Sequence, residues 1–287
     1  MPFNVEPVFD PDSCTYSYLL SDSLTQRCAI IDPVLDYDTA AARISYVSAD
    51  RLIEQVRANG LTLEWILETH VHADHLSAAR YLQEHLGGQI GIGDRIPQVQ
   101  DTFAKLFDAE EGFKVDGSQF DRLFADGETF HIGSLSVVVL HTPGHTPACV
   151  SYLIEDAAFV GDTLFMPDCG TARCDFPGGD AHQLYRSINR LFELPGNTRL
   201  FMCHDYKSPV RDHYGYQTTV AEERAHNIHV GQGIGEADFV ALRAARDKTL
   251  GQPRLLLPSV QINMRAGETP AAKANGIRYL KIPLNVF

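Results

Sequence analysis

Residues 68–79 read ETHVHADHLSAA, and they place three histidines and one aspartate within six positions. The apolar stretch before them, residues 63–69, is typical of a buried strand, and residues 76–86 carry the spacing of an amphipathic helix. A loop between a strand and a helix can turn several side chains toward one point, which a regular element cannot do. Imidazole and carboxylate together suit Zn, Fe or Mn better than Ca or Mg. We therefore predict a metal-binding loop whose candidate ligands are His70, His72, Asp74 and His75.

Three further residues of ligand type occur in the same kind of context. His145 lies in HTPGHTPACVSY, one turn after the apolar segment VVVLHT. Asp162 lies in FVGDTLF and His204 in LFMCHDY, each at the end of a short apolar run. Each of these positions is a predicted strand end, so all three side chains can face one edge of a layered fold. Together with the loop they predict a single metal site.

The rest of the chain alternates predicted strands and helices without repeats or linkers. Strands are expected at residues 28–32, 90–92 and 199–203 and at several places in residues 128–163. Helices are expected at residues 48–58 with Ser48 as N-cap, 180–194 with Asp180 as N-cap, 218–229 and 236–248. This order predicts one domain over residues 1–287, in which helices cover sheets. Residues 231–287 are expected to pack on that domain or to form a subunit interface.

Composition and charge exclude several classes of protein. The 287 residues carry a formal net charge of −13, which is the wrong sign for binding a nucleic-acid backbone. No apolar run is long enough for a membrane span, and the N-terminus lacks a secretion signal. The six cysteines are scattered, which favours free thiols in a reducing, cytoplasmic location.

The histidine and aspartate motifs resemble those of the metallo-β-lactamase superfamily, whose signature is H-x-H-x-D-H followed by a later His, Asp and His. The resemblance covers roughly residues 15–230. It implies an α+β fold in four layers, an αβ/βα sandwich of two central β-sheets flanked by helices, with metal at the edge of the sheets. It also implies two metal positions that share one carboxylate: His70, His72, His145 and Asp162 at the first, and Asp74, His75, His204 and Asp162 at the second.

Two branches of this superfamily are similar to the chain: glyoxalase II, a thioester hydrolase, and the persulfide dioxygenases. Arg173-Cys174-Asp175-Phe176 matches the Arg-x-Asp-Phe element of the dioxygenases, and we favour that branch. The resemblance then implies one non-haem Fe(II) per chain, held by His70, His145 and Asp162 as a facial triad. His72, Asp74, His75 and His204 would be hydrogen-bonded around it. The expected reaction oxidises glutathione persulfide with O₂ to sulfite and glutathione.

Two alternatives stay open. A glyoxalase-II-like hydrolase of glutathione thioesters would bind two Zn, Fe or Mn ions at the same residues. A metal- or persulfide-sensing protein without turnover is the third hypothesis, and it depends on Cys149, Cys169 and Cys174 near the motifs.

Substrate contacts are predicted from resemblance and charge. Tyr206 is expected to contact the tripeptide, and Arg173 either faces the thiol end or pairs with Asp175. Lys207 and Arg224 are further cationic candidates for an anionic substrate. Residues 227–230 (NIHV) depart from the N-P-R-L of related dioxygenases, so no substrate-binding arginine is carried over there. The expected assembly is a homodimer without nucleic acid or membrane.

Overall fold

A computed structural model describes residues 3–286 of the chain. Its strands are β1 (Phe3–Asp10), β2 (Thr15–Asp22), β3 (Arg27–Ile31), β4 (Val34–Asp38), β5 (Arg43–Ser45), β6 (Thr62–Leu67), β7 (Leu76–Ser77), β8 (Gln89–Gly93), β9 (Arg122–Phe124), β10 (Thr129–Ile132), β11 (Leu135–His141), β12 (Val150–Ile154), β13 (Ala157–Phe159), β14 (Arg199–Phe201) and β15 (Gln217–Thr219). Its helices are α1 (Val47–Ala58), α2 (Ala79–Leu86), α3 (Ile96–Leu106), α4 (Ala181–Phe192), α5 (Val220–His226), α6 (Glu236–Asp247) and α7 (Leu256–Asn263).

Two six-stranded sheets form the centre of the fold. The first has the order β1-β2-β3-β6-β8-β9, and the second has the order β10-β11-β12-β13-β14-β15. Strands β3, β6, β8 and β9 run parallel to one another, and β13 runs parallel to β14. A small third sheet pairs β5, β4 and β7.

Alternating side chains of the central strands bury both faces of the first sheet. On β3, Ala29 and Ile31 point into the core between the two sheets, where Phe159 and Phe201 of the second sheet also lie. Cys28 and Ile30 point the other way, into the core beneath α1, α2, α3 and α7. A third core lies between the second sheet and helices α4 and α6. The layers are helix, sheet, sheet and helix, which confirms the expected sandwich.

The sheet topology brings the predicted ligands to one edge. The loop after β6, Asp162 after β13 and His204 after β14 all leave the carboxyl ends of parallel strands. Two backbone hydrogen bonds join the sheets at this edge: Val150 N–H donates to the carbonyl of Thr69, and Tyr16 N–H donates to the carbonyl of Cys203. The site therefore lies where the two sheets meet.

Helix starts agree with the sequence where a side chain caps the helix. Asp180 caps α4 as predicted, because its carboxylate accepts hydrogen bonds from the backbone N–H groups of His182 and Gln183. The prediction for Ser48 is wrong: α1 begins one residue earlier, and the Ser48 hydroxyl donates to Asp36 instead. Helix α2 begins at Ala79 rather than at residue 76, because residues 76–77 pair with β4.

Part of the C-terminal segment packs against the helices that cover the first sheet. Leu256, Val260 and Ile262 of α7 are buried in the same core as α1 and α2. Helix α6 packs against α4 on the other side of the sandwich. Neither α3 nor α7 was predicted from the sequence. Among the described residues, no helix has the length and apolar character needed to cross a membrane.

Candidate metal centre

His70 is oriented by a short chain of hydrogen bonds that ends in a buried carboxylate. Its Nδ1 lies 2.9 Å from the hydroxyl of Thr69, and that hydroxyl donates to Asp32 at 2.9 Å. The Thr69 N–H also donates to Asp32, at 2.7 Å. Because the Thr69 hydrogen is engaged with Asp32, its oxygen accepts the Nδ1 proton of His70. The Nε2 atom of His70 is thereby left unprotonated, as a metal ligand requires.

His72 is held through its other ring nitrogen. Its Nε2 lies 3.0 Å from Asp32 and 3.4 Å from Glu68, while its Nδ1 has no hydrogen-bond partner. Because Nε2 is engaged with these two carboxylates, Nδ1 is the ring nitrogen that His72 offers toward the centre.

His145 lies in a turn that packs closely on α4. Gly144 has φ +141°, and a Cβ atom there would come within 2.3 Å of the backbone of Leu184. This position needs glycine for both conformation and space. The Nδ1 of His145 donates to the carbonyl of Arg173 at 2.8 Å, so its Nε2 is free to bind metal.

Asp162 lies between two groups of histidines. One of its oxygens is 3.9 Å from Nε2 of His70 and 3.7 Å from Nε2 of His145, and the other is 3.3 Å from Nε2 of His204. The preceding Gly161 has φ +52°, and a Cβ there would lie 2.6 Å from the Thr69 hydroxyl. The close approach of these two loops thus sets the place of the carboxylate.

His75 and His204 share one hydroxyl group. The Oγ1 of Thr15 on β2 lies 3.4 Å from Nδ1 of His75 and 3.1 Å from Nδ1 of His204. Asp74 completes this side of the site, with an oxygen 3.2 Å from Nε2 of His204. Burial would raise the pKa of Asp74, but the charges of His204 and His75 outweigh it and lower that pKa.

The seven predicted ligands fall into two groups, each with its ligand atoms within 4.8 Å of one another. The buried thiol of Cys203 also lies within 4.8 Å of ligand-type atoms of Asp32 and His72 and, separately, of Asp162 and His204. We call His70, His145 and Asp162 the first donor group, and His72, Asp74, His75 and His204 the second donor group. The structure thus brings all seven sequence-predicted ligands to one place. The resemblance implied that His72 belongs with His70, His145 and Asp162, but the structure groups it with Asp74, His75 and His204. Asp162 also lies close enough to His204 to serve both groups.

These residues fit bound metal. Six of their buried atoms have no hydrogen-bond partner: Nε2 of His70, His75 and His204, Nδ1 of His72, and one oxygen each of Asp74 and Asp162. An unpartnered buried polar group costs about 1–3 kcal/mol, so six at one place need an explanation. Nitrogen and carboxylate donors are those that Zn, Fe and Mn take in proteins.

A cavity of about 680 Å³ opens onto the centre. Asp74, His145 and Asp162 contribute to its wall, and Phe165 and Phe176 form apolar surface beside them. This volume lies within the usual range for a small-molecule site.

Three of the four predicted substrate contacts line this cavity: Arg173, Tyr206 and Lys207. Arg173 makes the salt bridge to Asp175 that was one of its two predicted alternatives, with N–O distances of 2.6 and 2.7 Å. Arg224 does not reach the cavity. Its side chain is exposed on α5 and is absent from the cavity lining, so the structure gives no support for its predicted role.

Sequence reasoning missed several functional residues. Arg246 of the C-terminal segment lines the cavity and adds positive charge to it, and so does Arg254, a cation that the sequence offers without indicating its place. Asp32 and Thr15 orient histidines without binding at the centre. A signal existed for Asp32, which is the polar residue at the end of the apolar run CAIID. No comparable signal existed for Thr15 or for the register of the two arginines.

The cysteines near the motifs are free thiols with raised pKa values. Burial raises the pKa of Cys149 to about 12, and burial together with the charge of Asp168 raises that of Cys169 to about 12. Cys174 is also buried, and its pKa is raised for the same reason. Such thiols stay protonated at neutral pH and are poor nucleophiles. This weakens the hypothesis of a persulfide sensor.

A sandwich of two sheets with a buried His/Asp site and an open cavity at one edge is the architecture of metal-dependent enzymes. Residues 14–204 match the family model described as the metallo-beta-lactamase superfamily. The chain belongs to this superfamily.

Curated relatives cover nearly the whole chain. A probable metallo-hydrolase of Burkholderia pseudomallei is 57% identical over 99% of this chain and 99% of its own length. Glyoxylase B2 of Dictyostelium discoideum is 50% identical, over 96% of this chain and 94% of its own. A mitochondrial persulfide dioxygenase of Bos taurus is 33% identical, over 94% and 91%.

A solved structure is similar throughout. The crystal structure of ETHE1 from Myxococcus xanthus superposes with a TM-score of 0.74 and 31% identity, and it covers 92% of this chain and 100% of that one. The similarity therefore extends beyond residues 14–204, which carry the metal-binding motifs.

Proposed function

We propose that this protein is a two-metal hydrolase of thioesters formed by a small anionic thiol such as glutathione. The observation that carries the proposal is the completeness of both donor groups. Unpartnered buried atoms point into the centre from the first and from the second group alike. A centre built for one ion would leave the donors of the second group without partners.

The chemistry of the centre suits ester hydrolysis. Two bound metal ions would supply a hydroxide at neutral pH and would polarise the carbonyl group of the substrate. The carboxylates of Asp74 and Asp162 face the cavity, where they can orient a water molecule beside the substrate. Phe165 and Phe176 give the same side of the cavity an apolar surface.

The cavity wall suits an anionic thiol conjugate. Lys207, Arg246 and Arg254 bring positive charge to the cavity of a protein whose net charge is −13, although Asp12 and Asp168 also line it and Lys207 pairs with Asp212. Glutathione carries two carboxylates, so a local cationic wall can hold its backbone and direct the sulfur toward the metal. Tyr206, half-exposed and stacked beside His204, adds a hydroxyl group to the same wall.

The names of the relatives support hydrolysis more than the dioxygenase interpretation favoured from the sequence. Two relatives with 50% identity or more are named a metallo-hydrolase and a glyoxylase. The persulfide dioxygenase is more distant, at 33%.

A mononuclear iron(II) persulfide dioxygenase is the second candidate, and a specific observation favours it. The Arg173–Asp175 pair lies against Phe176, whose ring contacts His145 at 5.3 Å between centroids. This places the dioxygenase-like element of the sequence directly beside the first donor group. Under this hypothesis His70, His145 and Asp162 hold one Fe(II), and glutathione persulfide and O₂ are the substrates.

One experiment separates the two candidates. The protein is purified without added metal, its metal content is measured, and it is assayed with a glutathione thioester and, separately, for O₂ uptake with glutathione persulfide. About two metal ions per chain with thioester turnover support the hydrolase. One iron per chain with O₂ uptake and sulfite formation, and no thioester turnover, would reject it in favour of the dioxygenase.

We also propose that the chain forms a homodimer that binds neither nucleic acid nor membranes. Sedimentation of the purified protein checks the first part of this proposal, and a monomer at micromolar concentration would contradict it.

A further inference from the structure

Asn263, at the end of α7, contacts two backbone groups of residues 70–75, which we call the ligand loop, and one backbone group of β7 directly after it. Its Nδ2 donates to the carbonyl of His72 at 2.9 Å and to the carbonyl of His75 at 2.8 Å. Its Oδ1 accepts from the N–H of Ser77 at 2.7 Å. Both amide hydrogens and the carbonyl oxygen of this buried side chain are thus used on residues 72–77.

The ligand loop needs such a partner. Residues 70–75 are neither helix nor strand, although most of them are buried. A buried backbone carbonyl must find a donor, and regular structure cannot supply one here. Since His72 and His75 flank Asp74, fixing the two histidine carbonyls fixes the backbone that carries all three of these metal ligands.

Helix α7 is itself firmly placed. Leu256 and Val260 are buried in the core with α1 and α2, and the carbonyl of Met264 accepts a hydrogen bond from Gln100 at 2.9 Å. Gly267 also comes close to strand β7, which follows the ligand loop. Its φ is +82°, and a Cβ atom there would lie 2.7 Å from the carbonyl oxygen of Ser77.

We propose that Asn263 is a positioning residue of the metal centre: it holds the ligand loop in the conformation that directs the second donor group. The C-terminal segment is then part of the metal centre although it supplies no ligand. The inference rests on the proposed function in one respect, because both require that metal binds at these residues. It does not depend on which reaction follows.

The test compares Asn263→Ala and Asn263→Asp with the wild-type chain. The Asp variant keeps the size and the acceptor of the side chain but loses both donors, so it separates the hydrogen bonds from packing. Gln261→Ala is the matched control. Gln261 is also buried on α7 and makes its hydrogen bonds to Leu257 and Lys281, away from the ligand loop.

The readouts are the Zn²⁺ dissociation constant of each metal-free protein, measured by competition with a chelator, the Co²⁺ absorption spectrum, and the unfolding temperature without metal. We expect both Asn263 variants to bind Zn²⁺ about 10- to 100-fold more weakly, with an altered Co²⁺ spectrum, as for other groups that orient ligands. The Gln261→Ala protein keeps wild-type affinity even if it unfolds at a lower temperature.

Equal Zn²⁺ affinities in wild type and Asn263→Asp would overturn the inference, and so would an equal loss in Gln261→Ala. Failure of the proposed function has a different signature. A wild-type chain that binds metal without thioester turnover rejects the hydrolase, while the affinity comparison still decides the role of Asn263.

Discussion

The two donor groups differ in how their histidines are held. In the first donor group each histidine has its own acceptor: the Thr69 hydroxyl for His70 and the Arg173 carbonyl for His145. In the second donor group His72 is held by Asp32 and Glu68, whereas His75 and His204 depend on the single hydroxyl of Thr15. Two of the three histidines of the second group are thus oriented by one shared atom, and neither histidine of the first group is.

The chains of hydrogen bonds also end in different surroundings. Behind His70 the chain ends at Asp32, which is buried. Behind Thr15 it continues through the hydroxyl of Ser13 to Asp10, and both of these residues are partly exposed. Orientation by buried, separate partners is the more rigid arrangement. We therefore expect the first donor group to bind metal more tightly than the second.

The largest effect should come from Asp162→Ala, because this carboxylate faces both groups. Loss of groups that merely orient ligands costs about 10- to 100-fold in affinity, so loss of a shared ligand should cost more than about 100-fold in metal affinity and in activity. Metal analysis after dialysis and the thioester assay measure both. Retention of about two metals per chain would show that Asp162 is not shared.

A pair of variants, His145→Ala and His75→Ala, separates the groups. In a two-metal hydrolase each should leave about one metal per chain and reduce activity by more than about 100-fold, because the ions act together. The ion that remains in His75→Ala should be the more tightly bound one. If His75→Ala keeps full activity, the second donor group is not catalytic, and the mononuclear dioxygenase becomes the better hypothesis.

Thr15→Val should weaken only the second donor group. The change preserves the shape of the side chain but removes the oxygen that both imidazoles contact. We expect about a tenfold loss of affinity for the more weakly bound ion and little change for the tighter one. Stepwise titration of the metal-free protein with Zn²⁺ resolves the two constants. Equal losses of Zn²⁺ affinity at both metal positions would show that Thr15 does not act on the second donor group alone.

Ser13→Ala tests the outer end of the same chain and should have the smallest effect. The Thr15 hydroxyl would lose its partner but keep both histidine contacts. We expect a loss of less than about tenfold at the second group, measured by the same titration. A larger loss than in Thr15→Val would mean that Ser13 affects the second donor group by a route other than the Thr15 hydroxyl.

The ligands could be predicted from the sequence because short spacing and strand ends determine where they go. Residues 70–75 share one loop, and Asp162 and His204 each follow an apolar strand, so topology alone brings them together. Their orienting groups could not be predicted in the same way. Thr15 meets His204 across 189 positions, and Asn263 meets residues 72–77 across 186 or more. A single threonine or asparagine carries no periodic signal at such a distance.

Predictions that depended on local preference alone were less successful. Ser48 is a good N-cap residue by type, but a competing acceptor, Asp36, takes its hydroxyl. Arg224 has the charge expected of a substrate contact, yet its place on α5 leaves it exposed to solvent. Residues 76–77 fit a helical pattern, and strand pairing with β4 overrides it. For Ser48 and for residues 76–77 a tertiary contact outweighs a local preference of about 1 kcal/mol.

The contact between Asn263 and the ligand loop has a consequence for how the protein is made. Synthesis proceeds from the N-terminus, so a growing chain that has reached residue 204 already carries every ligand but not the side chain that holds their loop. We expect metal captured at that stage to exchange freely. Once α7 packs against the domain, Asn263 fixes the conformation of the ligand loop. We therefore expect the chain to retain the metal ion only after α7 has been synthesised.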